Sequence, residues 1–200
     1  MTALDGLAAE VAECKKCLLH RGRTHAVPGE GPEDAQIMFV GEAPGFHEDQ
    51  KGRPFVGAAG QFLDELLASI DLKRDDVFIT NVIKCRPPGN RDPLPQEISA
   101  CEPYLDRQIE IIQPIVVVTL GRFSMARAFP KARISRIHGE PRKIDGIVYY
   151  PMYHPAAALH RPSLRSTVED DVRRIPDVIE RAPRMSECEP PPQAEQLTLF

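Results

Sequence analysis

No stretch of this sequence approaches the roughly 18 uninterrupted apolar residues of a membrane span. Its opening, MTALDGLAAEVAEC, lacks the basic segment and apolar run of an export signal. A soluble, cytoplasmic protein is expected. An excess of positive charge is also missing: 25 Lys and Arg stand against 29 Asp and Glu, a formal net charge of -4. The five cysteines, an odd number without an export signal, argue against a disulfide framework and for metal ligation or free thiols. At 200 residues the chain suits one globular domain around one core.

The acidic total conceals an uneven distribution. Between Arg122 and Lys143 seven Lys or Arg residues face the single acid Glu140, and Lys84, Arg86 and Arg91 cluster upstream. Local fields, more than net charge, decide where a polyanion docks. The run is therefore a candidate nucleic-acid surface, with a merely solvated face as the plain alternative.

Apolar patterning divides the chain into alternating strands and helices. Gln36–Val40, Val77–Ile83, Ile115–Leu120 and Gly146–Pro151 are short apolar runs bounded by turn residues and read as strands. Ala3–Val11, Gly57–Ile70 and Pro95–Gln113 carry helical periodicity, and a last helix spans about 163–181 with a break near Pro176. Pro103 falls inside the third of these and predicts a kink or a break near it. Ile98, Cys101, Leu105, Ile109 and Ile112 share its apolar stripe, whereas Glu97 lies off it. The alternation implies a three-layer α/β/α domain with a central, mainly parallel four-stranded sheet. Three strands run into unusual loops, Gly41–Gly45, Asn81–Cys85 and His154–Ala157, which should share one cleft at the carboxyl edge of the sheet. The domain is expected to cover residues 1–182. Residues 183–192, Pro-rich and polar, read as a disordered linker, and 193–200 as a terminal peptide.

Cys14 and Cys17 are spaced to share one metal centre, and Cys85 and Cys101 supply a second pair. Four thiolates suit a [4Fe–4S] cluster or zinc. The wide second spacing favours the cluster, and zinc stays open as the alternative. With four cysteines the coordination sphere is full, so the centre is structural. Lys15, Lys16, Lys84 and Arg86 would offset its negative charge, and Cys188 is a bystander in the tail.

Gly41-Glu42-Ala43-Pro44-Gly45, the stretch from Thr80 to Pro88, the His154-Pro155-Ala156-Ala157 loop and the four-cysteine pattern together resemble the family 4 uracil-DNA glycosylases over roughly residues 10–180. The resemblance implies a uracil-DNA glycosylase-like fold, a monomer, and an enzyme of base excision repair that acts on nucleoid DNA. Such an enzyme flips deoxyuridine out of the stack and hydrolyses its N-glycosidic bond, releasing uracil and leaving an abasic site. It also implies roles. Asn81 reads the uracil edge, donating to O4 and accepting from N3–H. His154 donates to O2 of the departing base. Phe55 stacks on the base, and Gly41, Glu42 and Ala43 approach the base and the attacking water. Family 1 enzymes carry an aspartate where this chain has Ala43, so the water-activating group stays open between Glu42, Glu48 and no strong base. Leu159 would wedge into the duplex, with Arg161 and Arg165 on phosphates. A uracil-DNA trapping protein without turnover is the alternative, but the segment between Cys85 and Cys101 lacks the histidine such trapping uses.

Gln196-Leu197-Thr198-Leu199-Phe200 resembles the peptide that docks bacterial repair proteins on the sliding clamp. Gln196 would be its polar hook, and Leu197, Leu199 and Phe200 its apolar anchors.

Overall fold

A computed structural model describes residues 2–188. The sheet strands are β1 (Ile37–Gly41), β2 (Phe78–Asn81), β3 (Val116–Leu120), β4 (Arg142–Ile144) and β5 (Ile147–Met152). The helices are α1 (Ala3–Glu13), α2 (Phe46–Lys51), α3 (Ala58–Ala68), α4 (Pro95–Ile112), α5 (Arg122–Ala126), α6 (Ile134–Ile137), α7 (Pro155–His160), α8 (Arg165–Arg173) and α9 (Ile175–Arg181). The strand order is β2-β1-β3-β5-β4; all neighbours run parallel except β4, which is antiparallel to β5.

Alternating side chains of the buried strands serve two cores. Ile37, Phe39, Ile79, Val118 and Tyr150 pack with α3, α7, α8 and α9 on one face. Met38, Val40, Phe78 and Val117 pack with α1 and α4 on the other. This is the expected three-layer α/β/α arrangement, with one strand more than the four predicted. The fifth, β4, escaped notice because it is three residues long and sits in the basic run. Its signal was Asp145-Gly146: both residues adopt positive φ, 50° and 81°, and make the tight turn into β5.

Two expectations about α4 need correction. The helix runs unbroken through Pro103, so the expected break does not occur; the ring forfeits one backbone hydrogen bond while the apolar face stays packed. Glu97 is buried: it accepts from the Leu94 N–H at 2.8 Å and pairs with Arg91 at 2.7 Å. The last helical segment divides at Arg174, ahead of Pro176. Residues 185–188 do not leave the domain at 183 as predicted. Glu187 bridges Lys143 of β4, and the Cys188 N–H donates to the Lys143 carbonyl at 2.7 Å, so the edge strand's open hydrogen-bonding groups capture them. The remainder of the linker and the terminal peptide lie outside the described residues. No described helix is long and apolar enough to cross a membrane.

Leu67 is 1% exposed within the α3 core, whereas Leu159 on α7 is 43% exposed. Leu67→Ala is expected to cost about 2–5 kcal/mol in urea unfolding, and Leu159→Ala less than about 0.5 kcal/mol.

Candidate active site

β1, β2 and β5 end on the same edge of the sheet, and their ends bring the predicted loops together. Gly41 pairs with Asn81 across the parallel β1–β2 ladder. Its φ is not positive, so glycine is needed there for space. A Cβ at this position would fall 2.3 Å from Asn81 Oδ1 and 2.7 Å from Phe55 Cζ. The carboxamide and the ring thus meet over a backbone with no side chain. Phe55 in turn stacks on His154, with centroids 5.4 Å apart and planes 23° apart. Four residues separated by more than a hundred positions form one continuous contact.

Asn81 is 2% exposed. Its backbone carbonyl accepts from Lys84 Nζ at 2.7 Å, yet no hydrogen bond from another described residue engages its carboxamide. Thr119 Oγ1 is the buried side-chain polar atom left unpaired among the described residues, so the Asn81 carboxamide still reaches the cleft surface, where water or a ligand can pair with it. Lys84 Nζ is itself buried and reaches Thr80 Oγ1 and Gln108 Oε1, each at 2.7 Å. Its three donors are thus matched by three acceptors.

His154 caps α7, and its Nδ1 accepts the Ala156 N–H at 3.1 Å. A backbone amide can only donate, so Nδ1 carries the lone pair and the proton sits on Nε2. Burial pulls the imidazole pKa down to about 4, against a smaller opposing pull from Glu48. The ring is a neutral donor at physiological pH.

Two carboxylates flank this centre. Glu42 follows β1 directly; burial raises its pKa, with Asp92 adding to the rise and Arg122 offsetting it. Glu48 on α2 accepts the Val56 and Gly57 N–H groups at 3.2 and 3.3 Å, strapping α2 to the start of α3. Ala43 packs partly buried against the α4 core. Phe55 is the one bulky residue with positive φ, 51°, among the described residues, a conformation that costs roughly 1–3 kcal/mol.

The predicted rim residues fare unevenly. Leu159 is exposed beside buried Ala158, and Arg161 is exposed with no ion pair among the described residues. Arg165, expected on phosphate, is engaged internally: it pairs with Glu65 and Glu169 at 2.9 Å each and lies over the Phe62 ring. Part of the basic run is spent in the same way, while Lys131, Arg133, Arg136 and Arg142 stay exposed with no ion pair among the described residues. Arg122 pairs with Asp92, and Arg127 with Glu102 and Asp106. The acids that pair with Arg122 and Arg127 lie far away in sequence, on α4 and the loop before it.

Cys14, Cys17, Cys85 and Cys101 all border the α1–α4 core. All four thiols are free. Among the described residues no three His, Cys, Asp or Glu side chains close into a metal-binding group as they stand. The surroundings of the sulfurs nevertheless fit a thiolate centre. Arg23 Nη1 donates to Cys85 Sγ at 3.1 Å, the Lys84 N–H to Cys101 Sγ at 3.2 Å and the Lys16 N–H to Cys14 Sγ at 3.5 Å. Burial pushes the Cys101 thiol up to about 11, so holding it as a thiolate needs a bound cation. Arg23 was missed in the sequence because it lies 62 positions from Cys85. Arg86, expected to offset the thiolates, instead bonds Asn90 Oδ1 at 2.6 Å and lies over the Phe46 ring.

A cavity of about 460 Å³, lined by Pro32, Gln36, Leu72 and Ile175 among others, lies at the opposite end of the sheet. It holds none of these groups. Chemistry, more than volume, marks the cleft at Asn81 and His154.

A profile of the Uracil DNA glycosylase superfamily matches residues 28–175. The type-4 uracil-DNA glycosylase of Sulfurisphaera tokodaii is 53% identical over 88% of this chain and 84% of its own length. The type-4 enzyme of Archaeoglobus fulgidus is 50% identical over 88% and 92%, and that of Saccharolobus solfataricus 49% identical over 92% and 89%.

The folded-state pKa of His154 lies below its ordinary value of 6.5. The neutral ring therefore contributes stability that is whole above about 6.5 and is lost as pH falls toward 4. Nitrogen-15 spectra of His154 are expected to show the Nε2–H tautomer from neutral pH down to about 4. Titration near 6.5 would mean that the ring is not desolvated as its place in the cleft requires.

Proposed function

The chain belongs to the uracil-DNA glycosylase superfamily, and we propose that it excises uracil from DNA by hydrolysing the N-glycosidic bond of a flipped deoxyuridine. The observation that carries this reading is the buried Asn81 carboxamide without a protein partner, set beside the Phe55 ring and a histidine held as an Nε2–H donor. Uracil supplies what this arrangement lacks. Its O4 accepts from the Asn81 amide and its N3–H donates to the Asn81 carbonyl. Cytosine reverses both partners and leaves buried groups unpaired, a strong penalty. Phe55 offers the stacking face.

In the reaction the C1′–N1 bond breaks with its electron pair leaving on uracil. Charge grows on O2, where the His154 Nε2–H donates a hydrogen bond that strengthens as the anion forms. Water then adds to the oxocarbenium carbon C1′, and its proton passes to a base. Glu42, next to the strand end and raised in pKa by burial, is the candidate acceptor. Glu48 has its Oε1 committed to two backbone amides, which suits it to holding the loop. Leu159, exposed on α7, is suited to fill the gap left by the flipped nucleotide, with Arg161 on phosphate.

Cys14, Cys17, Cys85 and Cys101 would hold a [4Fe–4S] cluster, which supplies a rigid crosslink between the end of α1 and the loop after β2. The N–H groups aimed at three of the sulfurs support this assignment. The chain is read as a monomer acting on nucleoid DNA, brought there by Gln196, Leu197, Leu199 and Phe200 docked on a bacterial sliding clamp.

A labelled oligomer with one deoxyuridine should become alkali-sensitive on incubation with the protein. Asn81→Ala and His154→Ala are each expected to lose roughly 100- to 1,000-fold in kcat. Removal of residues 196–200 should leave this assay unchanged while abolishing capture on clamp-coated beads. Cleavage that survives in both site variants would remove the site assignment, and loss of cleavage on tail removal would remove the clamp reading.

The purified protein should be brown, with visible thiolate-to-iron absorbance and four irons per chain bound by four cysteines. Cys101→Ala should bleach it. A colourless protein containing one zinc would replace the cluster with the alternative metal.

A further inference from the structure

We infer that Arg74 is a positioning residue for the base-stacking ring, a role that rests on the function proposed above. Phe55 must be held in a left-handed backbone conformation, φ 51°, that a bulky side chain avoids. A residue in that state returns to an ordinary conformation unless the peptide groups on both sides of it are fixed. Arg74 fixes both. Its Nη2 donates to the Pro54 carbonyl at 2.6 Å, on the peptide before the Phe55 Cα. Its Nη1 donates to the Phe55 carbonyl at 3.1 Å, on the peptide after it. One planar guanidinium therefore sets φ and ψ of a single residue together, which a lysine ammonium cannot reproduce.

The guanidinium is itself fixed. Its Nε and Nη2 reach Glu30 Oε1 at 2.9 and 2.6 Å, and its Nη1 reaches Asp64 Oδ1 at 2.9 Å. The Arg74 side chain is 19% exposed and that of Glu30 23%. Burial works against the Glu30 charge, but the hydrogen bonds from Arg53 and Arg74 outweigh it and lower its pKa. Arg53, one residue before Pro54, binds the other oxygen, Oε2, at 2.7 Å. Glu30 thus anchors the loop directly and through Arg74. On the far side the Phe55 carbonyl rests against Gly60, where a Cβ would lie 1.7 Å from the oxygen. Pressed between Gly60 and Arg74, the peptide presents the ring at Gly41 and His154.

A double-mutant cycle separates this role from a general structural one. Uracil inhibition constants and kcat would be measured on the deoxyuridine oligomer for the parent, Arg74→Ala, Phe55→Ala and the double variant, each checked for folding by circular dichroism. Arg74→Ala is expected to weaken uracil inhibition between about 5-fold and 100-fold, the range set by loss of one base–aromatic stack, with KM for DNA little changed. In the Phe55→Ala background the same substitution should add less than about twofold, because its effect passes through the ring. Losses that multiply in the double variant, or unchanged uracil inhibition in folded Arg74→Ala, overturn the inference. If Arg74→Ala does not fold, Glu30→Gln keeps the guanidinium but weakens its seat. Weaker uracil inhibition in that variant supports the inference, and an unchanged value overturns it. A parent protein that neither cleaves the oligomer nor binds uracil brings down the proposed function itself, which the variants alone do not.

Discussion

The parallel pairing of Gly41 with Asn81 is the contact on which the cleft depends. Side chains on a strand alternate, so a slip of one residue would turn Asn81 away and bring Thr80 or Val82 to the strand end. Register is held by burial of β1 and β2 on both faces and by a ladder that continues past the strands, from the Val82 N–H to the Gly41 carbonyl and from the Ile83 N–H to the Glu42 carbonyl. Lys84 then ties the Asn81 carbonyl to Thr80 and Gln108. Because the loop that closes this register carries Cys85, and α4 carries Cys101, the cysteine-bordered region and Asn81 share one stretch of backbone. The Lys84 N–H bonds Cys101 Sγ while its side chain holds Asn81.

In the reaction proposed above, the same cleft suits a neutral histidine to a departing anion. A cation would attract the anion more strongly, but with a pKa of about 4, charging His154 at pH 7 costs about 4 kcal/mol at 1.36 kcal/mol per unit. It would also break the Ala156 bond to Nδ1. A neutral N–H incurs neither penalty. Its hydrogen bond is modest to a ground-state carbonyl and stronger to an oxygen that is gaining charge, and that difference is what accelerates a reaction.

Much of this was legible in the sequence because the legible parts are local. Apolar runs ending in Gly41, Asn81 and the His154 loop located the strands and their functional ends, and the cysteine spacing picked out one core face. What escaped depends on partners far apart in the chain. Arg23 and Cys85, Arg127 and Asp106, Arg165 and Glu65 are joined only by the fold. Within the basic run, Arg122 and Arg127 have acid partners that the neighbouring sequence does not show. Arg74 carries no motif, since what it recognises is a pair of carbonyls. β4 was missed because three residues are too few to show a period, although Asp145-Gly146 announced its turn.

Internal pairing of the arginines bears on how DNA is held. Each phosphate contact adds about 0.9 to the salt dependence of binding and supplies most of the non-specific affinity. Here Arg122, Arg127 and Arg165 answer to acids of the same chain, and the formal net charge is -4. Lys131, Arg133, Arg136, Arg142 and Arg161 remain exposed without an ion pair among the described residues, so a phosphate backbone would meet these cations before the paired arginines.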